Sequence, residues 1–372
     1  MAKVKRAPEA TLFPILEQAP IGMARLAAEA AHADDGHLIE FKAMQARSIL
    51  NRSTSKRTPW IAWSINPYRG CEFGCKYCFA RYTHEFLQPD PIAFVAPGTL
   101  NIPQQPWALA FEREIYLKEN AAWLLEQELR RVNPADPTEE IAIGTATDPY
   151  QPIERRMGIT RSLLEVFSKQ EGYRLGIITK SNLITRDIDL LKTISKRNAL
   201  TVHLTITTVD AALARLLEPR APRPDLRFGA VHTLRQAGIR TGILCSPLLP
   251  GINDNEPALD AVAQRAAQAS ASFLAANPLF LKSCSRPTYL SFVREHFPHL
   301  VEDYAQRFAT ADFADPTYSR KLALMLKRVC HKHGLGERSM DAMQPKHAGS
   351  THTMLKKPAQ SSGGRAQAVL FA

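Results

Sequence analysis

From Trp60 onward the chain alternates short apolar runs with longer amphipathic stretches, and that rhythm admits few folds. Apolar runs bounded by polar turns read as buried strands, and the amphipathic stretches between them read as crossover helices. Strands are predicted over Ile61–Ile65, Ile141–Thr145, Arg174–Thr179, Thr201–Thr207, Thr241–Cys245 and Ser272–Ala275. Helices are predicted over Leu117–Arg131, Arg161–Lys169 with Thr160 as N-cap, Leu183–Arg197, Asp210–Leu217, Asp225–Ala237 and Glu256–Ala269. Gly238 stands where a helix C-terminal glycine belongs. The expected class is α/β, a barrel or partial barrel of βα units in preference to an open doubly wound sheet.

Around this core, residues 1–58 read as an N-terminal extension with one helix around Ile21–Ala31, and 59–283 as the βα domain. Residues 284–339 read as a helical C-terminal region, with Leu322–Val329 strongly apolar, and 340–372 as a mobile basic tail. With 45% hydrophobic and 22% charged residues, disordered, collagen-like and coiled-coil chains are excluded. No apolar run reaches the roughly 18 residues of a spanning helix, so no membrane is expected. The basic start, Met1 to Arg6, is followed by no apolar run, so a cytoplasmic location is expected over secretion. A net charge of +11 favours anionic partners, nucleic acid or nucleotides among them.

Six cysteines are too few for a disulfide scaffold, but three of them crowd into one segment, Asn66-Pro-Tyr-Arg-Gly-Cys71-Glu-Phe-Gly-Cys75-Lys-Tyr-Cys78-Phe-Ala-Arg81. Clustered cysteines of this kind point to metal or catalysis. A structural zinc takes four protein ligands, and a 4Fe-4S cube presents four irons, each normally held by one cysteine. The loop supplies three. Either a distant residue completes the shell, with His84 nearest and Cys245, Cys284 and Cys330 remote, or one corner stays open.

Cys-x3-Cys-x2-Cys with Tyr77 before the last cysteine resembles the signature of the radical SAM superfamily. The segments Asn66–Arg81, Thr147–Glu154 and Ser246–Asp254 are similar to the spore photoproduct lyase-like branch, also labelled DNA repair photolyase-like, over about residues 60–275. The resemblance implies a partial (β/α)6 barrel and two cofactors, a 4Fe-4S cluster and S-adenosylmethionine. It implies reductive cleavage to a 5′-deoxyadenosyl radical that abstracts hydrogen from a substrate, with nucleic acid the candidate, and a lyase-like or other radical reaction. The cofactor carries the radical chemistry and the protein orients it. The implied electron donor is of the flavodoxin or ferredoxin kind.

Carried over by position, the resemblance implies Cys71, Cys75 and Cys78 as cluster ligands and Tyr77 near the adenine. Gly144 and Thr145 would meet the methionyl amine, Lys180 and Thr205 the methionyl carboxylate, and Glu218 the ribose. One departure stands out. Spore photoproduct lyases carry a hydrogen-donating cysteine before a Thr-Ser-Asp, whereas this chain reads Thr145-Ala146-Thr147-Asp148. Repair of spore photoproduct by that route is therefore not expected. The remaining catalytic candidates are the Cys245 thiol and the Glu154 carboxylate; each has a structural alternative, a buried core cysteine and a helix-cap residue. The competing function is a metal-stabilised nucleic-acid-binding protein without radical catalysis.

Overall fold

The computed structural model describes residues 39–53, 61–87, 104–134, 136, 139–312 and 315–336. The helix predicted around Ile21–Ala31 and the tail 340–372 lie outside the described residues. Among the described residues ten strands occur in chain order: β1 Glu40–Met44, β2 Leu50–Arg52, β3 Ile61–Ile65, β4 Tyr68–Arg69, β5 Glu114–Lys118, β6 Glu140–Ile143, β7 Arg174–Thr179, β8 Ala199–Thr205, β9 Thr241–Leu248 and β10 Leu274–Pro278. Seven form one sheet in the order β10-β9-β8-β7-β6-β3-β2. From β3 to β10 every neighbour is parallel, and β2 is antiparallel on β3. The six parallel strands follow chain order, so the sheet has no switch point. It is the wall of a partial barrel, as the βα rhythm suggested.

The helices α1 Ala121–Glu128, α2 Ile159–Ser168, α3 Ile188–Arg197, α4 Pro224–Gln236 and α5 Glu256–Gln268 cover one face of this wall. Register places Ile143, Ile177 and Val202 side by side, with Leu204 beside Ile243. These pack with Leu163, Phe167, Val231 and Val262 of the helices into one core. Each such side chain, fully buried, is worth about 1.5–3 kcal/mol. The opposite face, which lines the barrel, carries Ala142 beside Gly176 and Thr201, then Ile178 beside His203 and Gly242, then Thr205 beside Leu244. Small and polar residues alternate there with the apolar set because successive strand residues point to opposite faces. Phe273 and His203 pack together on this inner face, ring centroids 5.3 Å apart.

The structure differs from these expectations at several points. A second sheet, β1-β5-β4, is one that no predicted strand anticipates. Leu117 and Lys118 end β5 rather than opening a helix, because Tyr68 and Arg69 pair with Leu117 and Tyr116; the helix begins at Ala121. In the described part of residues 1–58, β1 pairs with β5 and β2 with β3. Thr160 is not an N-cap. The short helix Glu154–Met157 ends at Gly158 and α2 starts at once, so Thr160 lies inside the first turn and its hydroxyl donates to the Pro149 carbonyl. The helix predicted from Leu183 opens as a 3-10 turn, Asn182–Asp187. Asp210 does cap its helix, accepting from the Ala212 and Leu213 amides at 2.8 and 3.2 Å.

After the barrel come α6 Arg286–His296, α7 Val301–Arg307 and α8 Pro316–Lys332. Tyr289, Phe292, Tyr304 and Phe308 of this region share a core with Cys71, Phe73, Cys75 and Tyr77. Among the described residues no helix is long and apolar enough to cross a membrane.

Candidate cofactor site at the cysteine loop

The cysteine loop leaves β4 and is braced from four sides, mostly through its backbone. The Cys71 amide donates to the Phe111 carbonyl and the Lys76 amide to the Leu217 carbonyl, both at 2.9 Å. Glu72 ties the loop to the segment after β6. Its amide donates to Gln151 Oε1 at 2.8 Å, and its Oε1 accepts from the Ile153 amide at 2.7 Å. Fully buried Arg81 donates to Glu112 at 2.9 Å and to the Ala108 carbonyl at 2.8 Å. Ser285 Oγ donates to the Cys78 carbonyl at 2.8 Å. Gly74 has φ +61, and a Cβ there would overlap the Arg220 guanidinium, which crosses the loop to donate to the Glu72 carbonyl. Only glycine meets both demands.

All six cysteines are free. Burial pushes the Cys75 thiol up to about 12, although Lys180 pulls the other way. Burial raises Cys71 and Cys78 as well, with Arg81 opposing at Cys78. Three thiols in electrostatic range of one another, two buried and one partly buried, become thiolates only beside a strong positive centre such as a metal. Among the described residues no three His, Cys, Asp or Glu side chains stand at the spacing of one shared ion. Ligands of a single zinc would bring their sulfurs within about 4 Å, whereas each cysteine of a cluster takes a different iron. His84, the nearest fourth zinc ligand by sequence, turns elsewhere. Its Nε2 meets the Glu114 carbonyl at 3.0 Å between the rings of Phe111 and Tyr116. Three thiol donors are what a cluster would take from the chain if one of its irons stayed open.

The strand ends of β6, β7 and β8 face this loop. Gly144 has φ +90, and a Cβ would overlap the Ile178 carbonyl and Pro149. Thr145 Oγ1 accepts from Asn66 Nδ2 at 3.2 Å, and Asn66 Oδ1 accepts from the Ala146 and Thr147 amides at 2.9 and 3.2 Å. Asp148 ties β6 to β7, accepting from Thr179 Oγ1 at 2.6 Å and the Lys180 amide at 2.7 Å. Burial nonetheless raises its carboxyl. Lys180 Nζ lies 5.7 Å from the Tyr77 ring centroid. Burial would strip its proton, but Cys75, Glu218 and Asp148 around it outweigh that and raise its pKa.

The Tyr77 hydroxyl donates to Glu218 Oε1, and Glu218 Oε2 forms an ion pair with Arg227. Burial would protonate Glu218; the Arg227 and Lys180 charges outweigh it and hold its pKa below the usual range. Thr205 is buried on the inner face, and its carbonyl accepts from Arg227 Nη1 at 3.0 Å.

Thus Tyr77, Lys180 and Glu218 converge with Cys75, while Thr205 joins them through Arg227. Glu154 and Cys245 are both buried. Glu154 is fully buried and accepts from the Tyr68 hydroxyl, the Thr160 and Arg161 amides and Arg186 Nη2. Every lone pair is used, so it braces β4 against α2. Cys245 lies in the helix-covered core with Ile243, and its thiol donates to the Thr207 carbonyl at 3.5 Å; burial raises it to about 12. Arg227 went unread. Its signal was available, because it occupies the apolar stripe Pro224, Arg227, Phe228, Val231, Leu234 where a core residue belongs.

A parallel partial barrel with buried thiols and ionic groups gathered at its strand ends defines an α/β cofactor enzyme scaffold. The family model of the radical SAM superfamily matches residues 65–261, and the chain belongs to that superfamily. An uncharacterised protein of Mycobacterium tuberculosis is 29% identical over 297 residues, covering 80% of this chain and 82% of its own length. One of Methanocaldococcus jannaschii is 29% identical over 218 residues, covering 59% of this chain and 71% of its own. Among solved structures, a spore photoproduct lyase variant with bound AdoMet and dinucleoside spore photoproduct superposes with a TM-score of 0.57 at 14% identity, covering 89% of this chain and 85% of that one. That likeness is one of fold.

Proposed function

We propose that Cys71, Cys75 and Cys78 hold a 4Fe-4S cluster with one iron left open, and that S-adenosylmethionine binds there. The observation that carries this is the set of three thiols, two buried and one partly buried, in a loop held mainly through its backbone, facing Lys180 and Glu218. When bound, the cluster would supply one electron to the sulfonium, so that its bond to C5′ breaks, methionine leaves and a 5′-deoxyadenosyl radical is set to take hydrogen from the substrate. The chain's own residues orient the nucleotide. Lys180 offers its ammonium to the methionyl carboxylate. The strand end at Gly144 and Thr145 faces the methionyl amine, and Thr205 stands at the neighbouring strand end. Glu218 accepts from the ribose, and Tyr77 borders the adenine while its hydroxyl stays with Glu218.

The electron comes from a flavodoxin- or ferredoxin-type donor, and free cysteines throughout suit a reducing compartment such as the cytoplasm. For the substrate, the net charge of +11 and the exposed pair Arg155 and Arg156 beyond the β6 strand end favour a nucleic acid. The reaction differs from repair of spore photoproduct. Thr145, an alcohol, occupies the position of the donor thiol, and Cys245 lies on the helix-covered side of the wall.

The test is anaerobic reconstitution followed by reduction with dithionite and quantification of 5′-deoxyadenosine and methionine, with and without DNA or RNA. Wild-type protein is expected to carry about four irons and sulfides per chain and to cleave S-adenosylmethionine. Cys75→Ala is expected to lose cleavage below detection while keeping its far-UV circular dichroism. Zinc on elemental analysis, with no inorganic sulfide and salt-dependent nucleic-acid binding, would replace this function by the metal-stabilised binding module.

A further inference from the structure

The side chain that couples the cysteine loop to the barrel wall is an arginine with no direct place at the cofactor. Arg227 is fully buried, and its guanidinium reaches three different segments. Nε donates to the Pro222 carbonyl at 2.7 Å, Nη1 donates to the Thr205 carbonyl at 3.0 Å, and Nη2 pairs with Glu218 Oε2 at 2.5 Å. Glu218 in turn accepts from the Tyr77 hydroxyl and, at 3.4 Å, from Thr207 Oγ1. The turn that carries Glu218 also grips the loop through its backbone, since the Leu217 carbonyl accepts from the Lys76 amide and Arg220 donates to the Glu72 carbonyl.

Helix stability does not explain Arg227. It lies in the first turn of α4, where a cation opposes the helix dipole by about 0.3–1 kcal/mol. It also occupies a stripe position that an apolar residue would fill without desolvating a charge. What an apolar residue cannot do is hold a strand-end carbonyl, a turn carbonyl and a carboxylate in one rigid fork.

We propose that Arg227 is the positioning residue of the S-adenosylmethionine site: it sets the spacing between the end of β8 and the Glu218 turn, and through Glu218 and Tyr77 the seat of the cysteine loop. It touches neither cofactor; it acts through Glu218 and Thr205. This inference rests on the function proposed above.

The test is equilibrium dialysis of radiolabelled S-adenosylmethionine against anaerobically reconstituted protein, with iron per chain measured for each variant and the change in the reduced-cluster EPR spectrum on adding S-adenosylmethionine recorded alongside. Arg227→Met is expected to bind on the order of 100-fold more weakly at wild-type iron content, the scale of a misplaced site. Arg227→Lys, which keeps the charge and loses the fork, is expected to fall between them. Because Arg227 works through Glu218, the double variant Glu218→Gln/Arg227→Met is expected to bind no more weakly than the weaker single variant. The double variant buries no unpaired charge, so it keeps the comparison open should Arg227→Met fail to fold. Binding within twofold of wild type in Arg227→Lys, or losses that add in full with Glu218→Gln, would overturn the positioning role while leaving the proposed function standing. Wild-type protein with a full cluster and no affinity for S-adenosylmethionine would overturn both.

Discussion

Glu154 and Glu218 are both fully buried carboxylates paired with an arginine, yet they do different work. Glu154 has four donors for its lone pairs, among them Arg186 at 2.7 Å and the Thr160 amide at 2.9 Å. Glu218 Oε1 takes Tyr77 and Thr207, while Oε2 takes Arg227 alone. A saturated carboxylate is a brace; one with acceptor capacity left, set beside Lys180 and the cysteine loop, has room for a ligand's hydroxyl. Burial and charge alone do not separate scaffold from site. The completeness of the hydrogen-bond shell does.

The largest effect that sharpens this contrast comes from Glu154→Ala. It strands the Tyr68 hydroxyl and two amides, while Arg186 keeps Asp187, and is expected to cost about 3–5 kcal/mol in urea unfolding. Folded variant should bind S-adenosylmethionine as wild type does; a loss of affinity matching that of Glu218→Gln breaks the distinction.

His84 probes a half-satisfied group away from the site. Burial lowers its pKa from 6.5 to about 4, so the folded protein resists the proton that the unfolded chain accepts. Its neutral form is fully stabilising above pH 6.5, and stability declines as pH falls from 6.5 toward 4, by at most about 3 kcal/mol. His84→Gln should flatten that limb of a stability-versus-pH curve, and an unchanged slope would show the ring to be solvated. The smallest effect is expected of Cys245→Ala, about 1 kcal/mol of stability. Its yield of 5′-deoxyadenosine should stay within twofold of wild type, and a changed product pattern would return the thiol to the chemistry.

The barrel was legible because its strands are local signals. Ile61–Ile65 and Arg174–Thr179 are apolar runs that no helix could bury as well, and the structure keeps both spans. The second sheet was not legible. Tyr68–Arg69 has two residues, and Glu114–Lys118 leads into α1 after two more, so its apolar positions merge with the helical stripe. The cysteine spacing announced a cofactor loop, but nothing in it showed that Glu72, Arg81 and Arg220 would hold that loop open.

What the residues determined by themselves was the sequence of βα units and the clustering of three thiols within eight positions. Both are properties of neighbours along the chain, set by side-chain periodicity and by loop length. Tertiary structure alone decided that Arg227 meets Thr205 and Glu218, that Glu154 closes its shell, and that Cys245 faces the helices. Hydrogen-bond shells and sheet faces are completed by partners far away in sequence, and only the folded chain brings those partners within 3 Å.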